Sequence, residues 1–189
     1  MTDNSDNNSW VEEIMNMKMI LFGIAFLMIN SQSFAKARYA NKTEMIFESD
    51  AIAIVNITKV EKTEKQGKSW TYHQKASATI EQCLKGEVKG TIEIYGIENF
   101  ECAQCNYEAG RFIVFLRKQE DFWTGANWNL GICPIKDDNV QWFRDDKTIF
   151  EMKKTPLQDA VDEISLLVEK QKKEPPNKKD VSNPSSPER

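Results

Sequence analysis

The chain has 189 residues, of which 25 are basic and 29 acidic, and its formal net charge is −4. Removal of a leader of 35 residues, argued below, takes away one basic and four acidic residues and leaves 24 basic against 25 acidic residues. Because positive and negative residues are nearly equal in number, the chain has no net electrostatic attraction to nucleic acid or to an anionic membrane, and we expect neither as a partner.

The N-terminal segment is predicted to be a secretory signal peptide. Lys18 precedes a continuous apolar run at 19–29, and the small residues Ser33 and Ala35 occupy the positions favoured at a cleavage site. We therefore expect cleavage after Ala35 and a secreted or periplasmic protein. A membrane-spanning helix needs about twenty apolar residues, so no stable membrane span is expected after cleavage.

Charge and composition predict three segments in the chain. The first sixteen residues are acidic without a basic residue, which is the wrong charge before a signal peptide, so we expect synthesis to begin at Met15 or Met17. Residues 1–35 are predicted to be the N-terminal extension and signal peptide, and 36–170 a single domain. Residues 171–189 are predicted to be a disordered polar tail, because Val181 is their only apolar residue besides prolines.

The domain is predicted to consist mainly of short β-strands. Ala76, Ala78 and Ile80 alternate with polar residues, which is typical of a strand with one buried face. The unbroken apolar run 112–116 follows Gly110 and suits a strand covered on both faces. In chain order, the predicted strands lie at 50–60, 70–83, 91–97, 110–117, 126–135 and 140–143.

One amphipathic helix is predicted at about 155–170. Thr155 is a suitable N-cap, and Pro156 suits the first helical position. Apolar residues then recur at helical spacing and form one stripe, which consists of Leu157, Ala160, Val161, Ile164 and Val168. We interpret this stripe as packing against the sheet, with a partner helix as the alternative. Five or six strands with one terminal helix indicate a small antiparallel barrel or sandwich.

The order of several segments resembles bacterial relatives of the tissue inhibitors of metalloproteinases. The matching pieces are SDAIAIVNITKV from Ser49, then IEQCLKG, TIEIYG, a cysteine followed by NYEAGRFIVFLRK, and LGICPI, and they span 49–135. The resemblance implies a netrin-type module, which is a five-stranded OB-fold barrel stapled by disulfides. We therefore expect a mostly β protein with an OB-fold-like barrel and a C-terminal amphipathic helix.

The chain departs from this family where the animal inhibitors act. In them, the resemblance would imply a mature chain that begins with a cysteine, whose amine and carbonyl chelate the zinc of the protease. Here the mature chain would begin at Lys36, and no cysteine occurs before Cys83. Because fold alone carries no function, metalloproteinase inhibition by an N-terminal cysteine is not expected.

Four cysteines, Cys83, Cys102, Cys105 and Cys133, are predicted to form two disulfides in an oxidising compartment. The sequence leaves all three pairings open. The family resemblance implies that Cys102 or Cys105 pairs with Cys133 and that Cys83 takes the cysteine left over. Each bridge would stabilise a small domain by about 2 to 4 kcal/mol.

An alternative is a thiol-disulfide oxidoreductase or a metal-binding protein that uses the Cys-x-x-Cys pair, Cys102 and Cys105. Such a redox motif usually starts a helix, whereas this one precedes a strand and has acidic neighbours, Glu101 and Glu108. A zinc site usually needs a second Cys-x-x-Cys pair, which is missing. The single histidine, His73, is interpreted as an exposed strand residue. We therefore predict no enzyme activity, no metal and no cofactor.

A non-catalytic binding module remains the preferred function. Trp70, Tyr72, Trp123 and Trp128 fall in or beside strand ends and loops, where OB-type barrels present ligands. Such rings could stack on a sugar or anchor a protein partner, and the alternative is that some of them only fill the barrel. Single-stranded nucleic acid would need a positive groove as well. We therefore expect a disulfide-stabilised module that binds an exported protein or an envelope component.

Overall fold

The computed structural model describes residues 39–68, 70–98, 104–148 and 150–173. The predicted signal peptide, residues 174–189 of the predicted tail and Cys102 lie outside these residues. Residues 171–173, predicted to begin the disordered tail, instead form the last residues of the C-terminal helix. The protein is mostly β with a C-terminal helix, as predicted, but its sheet contains eight strands rather than five. In chain order the elements are α1 (Lys42–Glu48), β1 (Ala51–Gln66), β2 (Thr71–Lys85), β3 (Thr91–Gly96), β4 (Gly110–Gln119), β5 (Phe122–Gly125), a 3-10 helix (Trp128–Gly131), β6 (Ile132–Lys136), β7 (Asn139–Phe143), β8 (Met152–Pro156) and α2 (Leu157–Lys173).

The first five strands pair in a closed ring. Strand β1 pairs antiparallel with β2 and with β4, and β2 pairs antiparallel with β3. A parallel contact between β3 and β5 and an antiparallel contact between β5 and β4 complete the ring. The last three strands extend from β4 as an antiparallel series, in which β6 pairs with β4, β7 with β6, and β8 with β7.

Two hydrophobic clusters lie on opposite faces of β1 and β4. Side chains alternate in a strand, so successive apolar residues of β1 and β4 reach different clusters, and both faces of these strands are buried. This confirms the prediction for the run 112–116. The interior cluster lies inside the ring and includes Ala53, Val55, Ala76, Ala78, Ile94, Cys105, Tyr107, Val114 and Leu116. The helix cluster lies between the sheet and the two helices and includes Met45, Ile46, Ile52, Ile54, Ile113, Phe115, Cys133, Trp142 and Ile164.

Both helices bury an apolar face against the sheet. Helix α1 was not predicted, although it begins with a capping box in which Asn41 and Glu44 each accept from the other's backbone N–H. Helix α2 buries the predicted stripe, except that Leu157 is only partly buried. It begins at Leu157 rather than at the predicted cap, because Thr155 and Pro156 still belong to β8. No helix within the described ranges has the length and apolar character needed to cross a bilayer.

A carboxylate on α2 connects the beginning of the domain with its end. Glu163 forms an ion pair with Lys42 of α1, and its other carboxylate oxygen accepts a 2.6 Å hydrogen bond from the Trp142 indole. Lys42 is only 8% exposed, so removal of this partner would leave its amine buried without its ion pair. The Lys85 amine donates hydrogen bonds to the backbone carbonyls of Ile46 and Phe47 in α1, at 2.7 and 2.9 Å. Burial lowers the pKa of this amine.

The structure differs from the strand prediction for 126–135. Only its second half is a strand, because the backbone of Asn127 and Trp128 is left-handed, with φ of 56° and 58°. That conformation ends an extended segment and leads into the 3-10 helix. Strands β5 and β8 were not predicted either. Asp137 and Asp138 form the turn between β6 and β7, and both adopt positive φ.

Candidate functional site

Aromatic side chains from four parts of the ring meet at one place, which we call the aromatic cluster. The turn between β1 and β2 leads into Trp70 and Tyr72, while β3, β5 and the 3-10 helix contribute Tyr95, Phe122 and Trp128. The rings meet edge to face, with centroids 5.9 Å apart for Trp70 and Trp128, 5.4 Å for Tyr72 and Phe122, and 5.1 Å for Tyr95 and Phe122. Tyr72 and Phe122 are buried, and the other three rings are only partly buried.

Three of the four predicted surface residues belong to this cluster. Trp70, Tyr72 and Trp128 come together in it, which the sequence did not predict. Trp123 does not, because it packs against the interior cluster and carries the Lys118 amine 4.7 Å above its ring. Sequence reasoning missed Tyr95 and Phe122. The adjacent pair of acidic residues before Phe122 is a turn signal that could have identified the hairpin between β4 and β5.

Trp128 is held in place by an unusual backbone. A bulky residue with positive φ is uncommon, because this conformation costs about 1 to 3 kcal/mol and persists only where the surrounding structure enforces it. The side chain of the preceding Asn127 accepts from the Ala40 N–H and donates to the Ala40 carbonyl, each at 2.9 Å. These two bonds anchor the loop to the segment before α1, and the Trp128 ring itself packs edge to face against Trp70.

Amide side chains lie beside Trp128 and form what we call the amide strip, which consists of Gln104, Asn106 and Asn129. The Asn129 side-chain carbonyl accepts from the Asn106 backbone at 2.9 Å, and the Asn106 amide donates to Gln104 at 3.3 Å. Asn106 and Asn129 are exposed, and Gln104 is partly buried. A primary amide offers two N–H donors and a carbonyl acceptor, so the strip retains hydrogen-bonding capacity beyond these contacts.

The charges next to the aromatic cluster are neutralised locally. The Lys65 amine lies 4.9 Å from the centre of the Phe122 ring and pairs with Asp121 at 3.0 Å. The Tyr95 hydroxyl donates to Glu93 at 3.1 Å, and Lys75 pairs with the same carboxylate at 3.1 Å. The cluster therefore presents aromatic rings and amides rather than an excess of either charge.

The second cysteine of the Cys-x-x-Cys pair is buried inside the ring. Cys105 is 4% exposed, and its thiol donates to the Tyr107 hydroxyl at 3.4 Å. The Gln74 side chain accepts from the Tyr107 N–H at 2.6 Å and donates to the Tyr107 carbonyl at 3.1 Å. Gly96 and Gly125 leave room for this segment, since a Cβ on either would come within 2.5 Å of Cys105.

Burial makes the described interior thiols poor nucleophiles. Desolvation raises the pKa of Cys105 from 9.0 to about 11 and that of Cys133 to about 12. Thiol–disulfide exchange and metal ligation require the thiolate, which is scarce at neutral pH for such groups. This burial weighs against a redox or metal centre that uses Cys105.

The predicted disulfides are not formed among the described cysteines. Cys83, Cys105 and Cys133 are free thiols, and pairings with Cys102 stay predictions because it lies outside the described residues. Cys105 belongs to the interior cluster and Cys133 to the helix cluster, so the sheet separates them. Of the two pairings with Cys133 that the resemblance implies, the one with Cys105 is absent because the two thiols lie on opposite faces of the sheet, while the one with Cys102 stays a prediction.

His73 and the acidic residues do not assemble a metal site in the part of the chain that the structure describes, where no three His, Cys, Asp or Glu side chains come together as ligands. His73 was predicted to be exposed. It is partly buried on β2, and its Nδ1 atom is buried with no hydrogen-bond partner.

A groove of about 470 Å³ separates the end of β2 from the end of α2. Its walls are formed by residues 83–86 and by Val168, Gln171 and Lys172, and the exposed thiol of Cys83 faces this region. The volume lies within the range of ligand pockets. However, the lining has no aromatic ring, and the Lys85 amine in its wall is already bonded to α1. The aromatic cluster is therefore the stronger candidate.

Comparison with known proteins adds no relative to this description: no family model matches the chain, and no curated protein is significantly similar to it. The function is accordingly argued from the residues and their geometry.

Proposed function

We propose that the chain is an exported, non-catalytic binding module of the OB type, similar to bacterial relatives of the tissue inhibitors of metalloproteinases. The aromatic cluster would be its binding surface, and an envelope component or an exported protein its partner. The observation that carries the proposal is the set of partly buried rings, Trp70, Tyr95 and Trp128, gathered where the turns and strand ends of the closed ring meet.

The pairing order supports the OB assignment. An OB-fold is a five-stranded, partly open barrel with Greek-key connections, and its loops and strand faces bind oligomeric ligands. Around the ring the strands here follow the order β1, β2, β3, β5, β4, with a parallel contact between β3 and β5. On this proposal, β6 to β8 and the two helices are additions that cover the outer faces of β1 and β4.

The chemistry of the side chains supports binding rather than catalysis. Partly buried tryptophans and tyrosines supply large apolar area and a polar group, and such residues dominate the energetics of many interfaces. The thiols that could serve a redox reaction are deeply buried at Cys105 and Cys133. The predicted signal peptide would deliver the module to the envelope, where N-terminal sequencing of the exported protein should find Lys36 first.

A co-sedimentation assay tests the proposal. The full chain is produced with its own leader, recovered from the exported fraction, and mixed with isolated cell envelopes and exported proteins of the producing cell. Trp70→Ala and Trp128→Ala are expected to reduce binding, whereas Trp123→Ala, the same substitution outside the aromatic cluster, is expected to retain it. Urea midpoints identify variants that are merely destabilised. Absence of binding by the unmodified protein, or equal binding by all variants, would overturn the proposal.

A further inference from the structure

The aromatic cluster and the amide strip together indicate a class of ligand. We infer that the corner between Trp70 and Trp128 binds a pyranose ring of a neutral glycan, and that the amide strip binds its hydroxyl groups. This inference rests on the proposed function, which names the surface but not the chemistry of what it binds.

The first argument is the arrangement of the two indoles. The two indoles pack edge to face, with planes at 87° and centroids 5.9 Å apart, and both are only partly buried, so the exposed parts of the two rings form an angled aromatic surface, which is the corner. The face of an aromatic ring is electron-rich and attracts the partly positive C–H groups that line one face of a sugar ring. A corner of two partly buried rings can therefore hold one apolar sugar face and leave its hydroxyls toward the rim.

The second argument is the kind of polar group beside the corner. Asn129 directly follows Trp128, and backbone and side-chain bonds connect it through Asn106 to Gln104. A sugar hydroxyl is both a donor and an acceptor, and a primary amide can satisfy both roles at once. Ligand sites commonly combine an apolar or aromatic wall with a few such directional groups.

The third argument is the charge. Two lysines next to the rings of the aromatic cluster are paired with carboxylates: Lys65, which lies over the Phe122 ring, with Asp121, and Lys75 with Glu93. Phosphate and carboxylate ligands are typically bound by arginine or lysine side chains with charge to spare. The amide strip itself is uncharged, so the site favours a neutral sugar over an acidic one.

The fourth argument is the fixed position of Trp128. Its left-handed backbone and the two bonds between Asn127 and Ala40 hold the ring before any ligand arrives. A single stacked sugar contributes little binding free energy, so immobilising the ring only on binding would remove much of it. Backbone strain retained at this position is consistent with a preorganised site.

Isothermal titration of the full exported chain tests the inference with chitotetraose, cellotetraose and mannotetraose as neutral probes and tetragalacturonate as an acidic one. We expect at least one neutral probe to bind and tetragalacturonate to bind more weakly. Trp70→Ala and Trp128→Ala should each weaken binding roughly tenfold, which is the loss of one stacked ring. Trp128→Phe keeps a ring and should retain most of the affinity.

Matched controls locate the site. Gln104→Ala should weaken binding, while Gln82→Ala, on the exposed end of β2, should not. Equal affinity in Trp70→Ala, Trp128→Ala and the unmodified chain would overturn the site. If no neutral probe binds, but the Trp70 and Trp128 variants bind envelope material more weakly than the unmodified chain, the ligand class is wrong and the proposed function stands. Failure of both the probes and the envelope material would overturn both.

Discussion

The buried amide of Gln74 allows a quantitative test of how the segment with Cys105 and Tyr107 is held inside the ring. Gln74 is 8% exposed and forms two hydrogen bonds with the backbone of Tyr107, at 2.6 and 3.1 Å. The change Gln74→Leu keeps a similar volume but leaves both the Tyr107 N–H and its carbonyl without this partner. Tyr107 is itself 2% exposed, so water cannot replace the lost bonds without opening the ring.

The expected loss follows from the cost of burying unpaired polar groups. Each such group costs about 1 to 3 kcal/mol, and the added apolar surface of leucine returns about 1 kcal/mol. For the two backbone groups of Tyr107 together, we therefore expect Gln74→Leu to lower the free energy of unfolding by about 1 to 5 kcal/mol. The measurement is urea unfolding followed by circular dichroism, with the midpoint and the slope fitted separately so that a changed unfolded state is recognised.

Gln82→Leu is the matched control, because Gln82 lies on the same strand and is exposed. It should change stability by less than about 0.5 kcal/mol. A loss below about 1 kcal/mol for Gln74→Leu would refute the reasoning, since it would mean that the Tyr107 backbone finds other partners at little cost.

Three further outcomes are expected. Glu163→Ala, which removes the carboxylate paired with the buried Lys42, should lower the free energy of unfolding by about 2 to 3 kcal/mol in urea titrations, while Glu169→Ala, at an exposed ion pair, should leave it unchanged. Burial raises the pKa of Cys133 from 9.0 to about 12 on folding, so between these pH values the folded state binds more protons than the unfolded state and stability falls as the pH rises. Between pH 8 and pH 10, the free energy of unfolding of the unmodified chain should therefore fall by about 1.4 kcal/mol more than that of Cys133→Ala. An equal fall in both proteins would contradict the burial of this thiol. In maleimide labelling of the native chain in a reducing buffer, Cys83 should react quickly and Cys133 only as fast as the chain opens, as peptide mass spectrometry would show.

Regular strands were predictable because local alternation records which face of a strand is buried. The segments that became β2 and β3 show this alternation, and their burial follows it. The apolar stretches at the start of β1 and in β4 do not alternate, because both faces of these strands are buried, and their unbroken apolar runs were the signal instead. Closure of the ring depends instead on β5, which has four residues, and on a parallel contact of two residue pairs, Ile94 with Trp123 and Tyr95 with Thr124. Four residues are too few to show the alternation of apolar and polar residues by which a strand is recognised in a sequence.

The candidate site was partly predictable for a similar reason. Placement of Trp70, Tyr72 and Trp128 near strand ends follows from turn signals, whereas the different surroundings of Trp123 depend on which face β5 presents to the ring. The left-handed backbone at Trp128 is set by the distant contact of Asn127 with Ala40, so no local signal announces it. The same holds for the cysteines, because their spacing does not reveal that Cys105 and Cys133 reach opposite faces of one sheet.

The ion pair between Lys42 and Glu163 joins residues 121 positions apart and places the first and last described helices in one cluster. A chain that leaves a ribosome or a translocation channel N-terminus first therefore exposes the apolar face of α1 and the outer face of β1 until α2 has also emerged. Most of the ring can pair earlier, but the helix cluster must wait for residues as late as Val168. Such long-range closure is slow and leaves apolar surface open to other contacts in the interval. Synthesis that stops a few turns short of the end of α2 should consequently yield a protein that retains much of its sheet and is prone to aggregate.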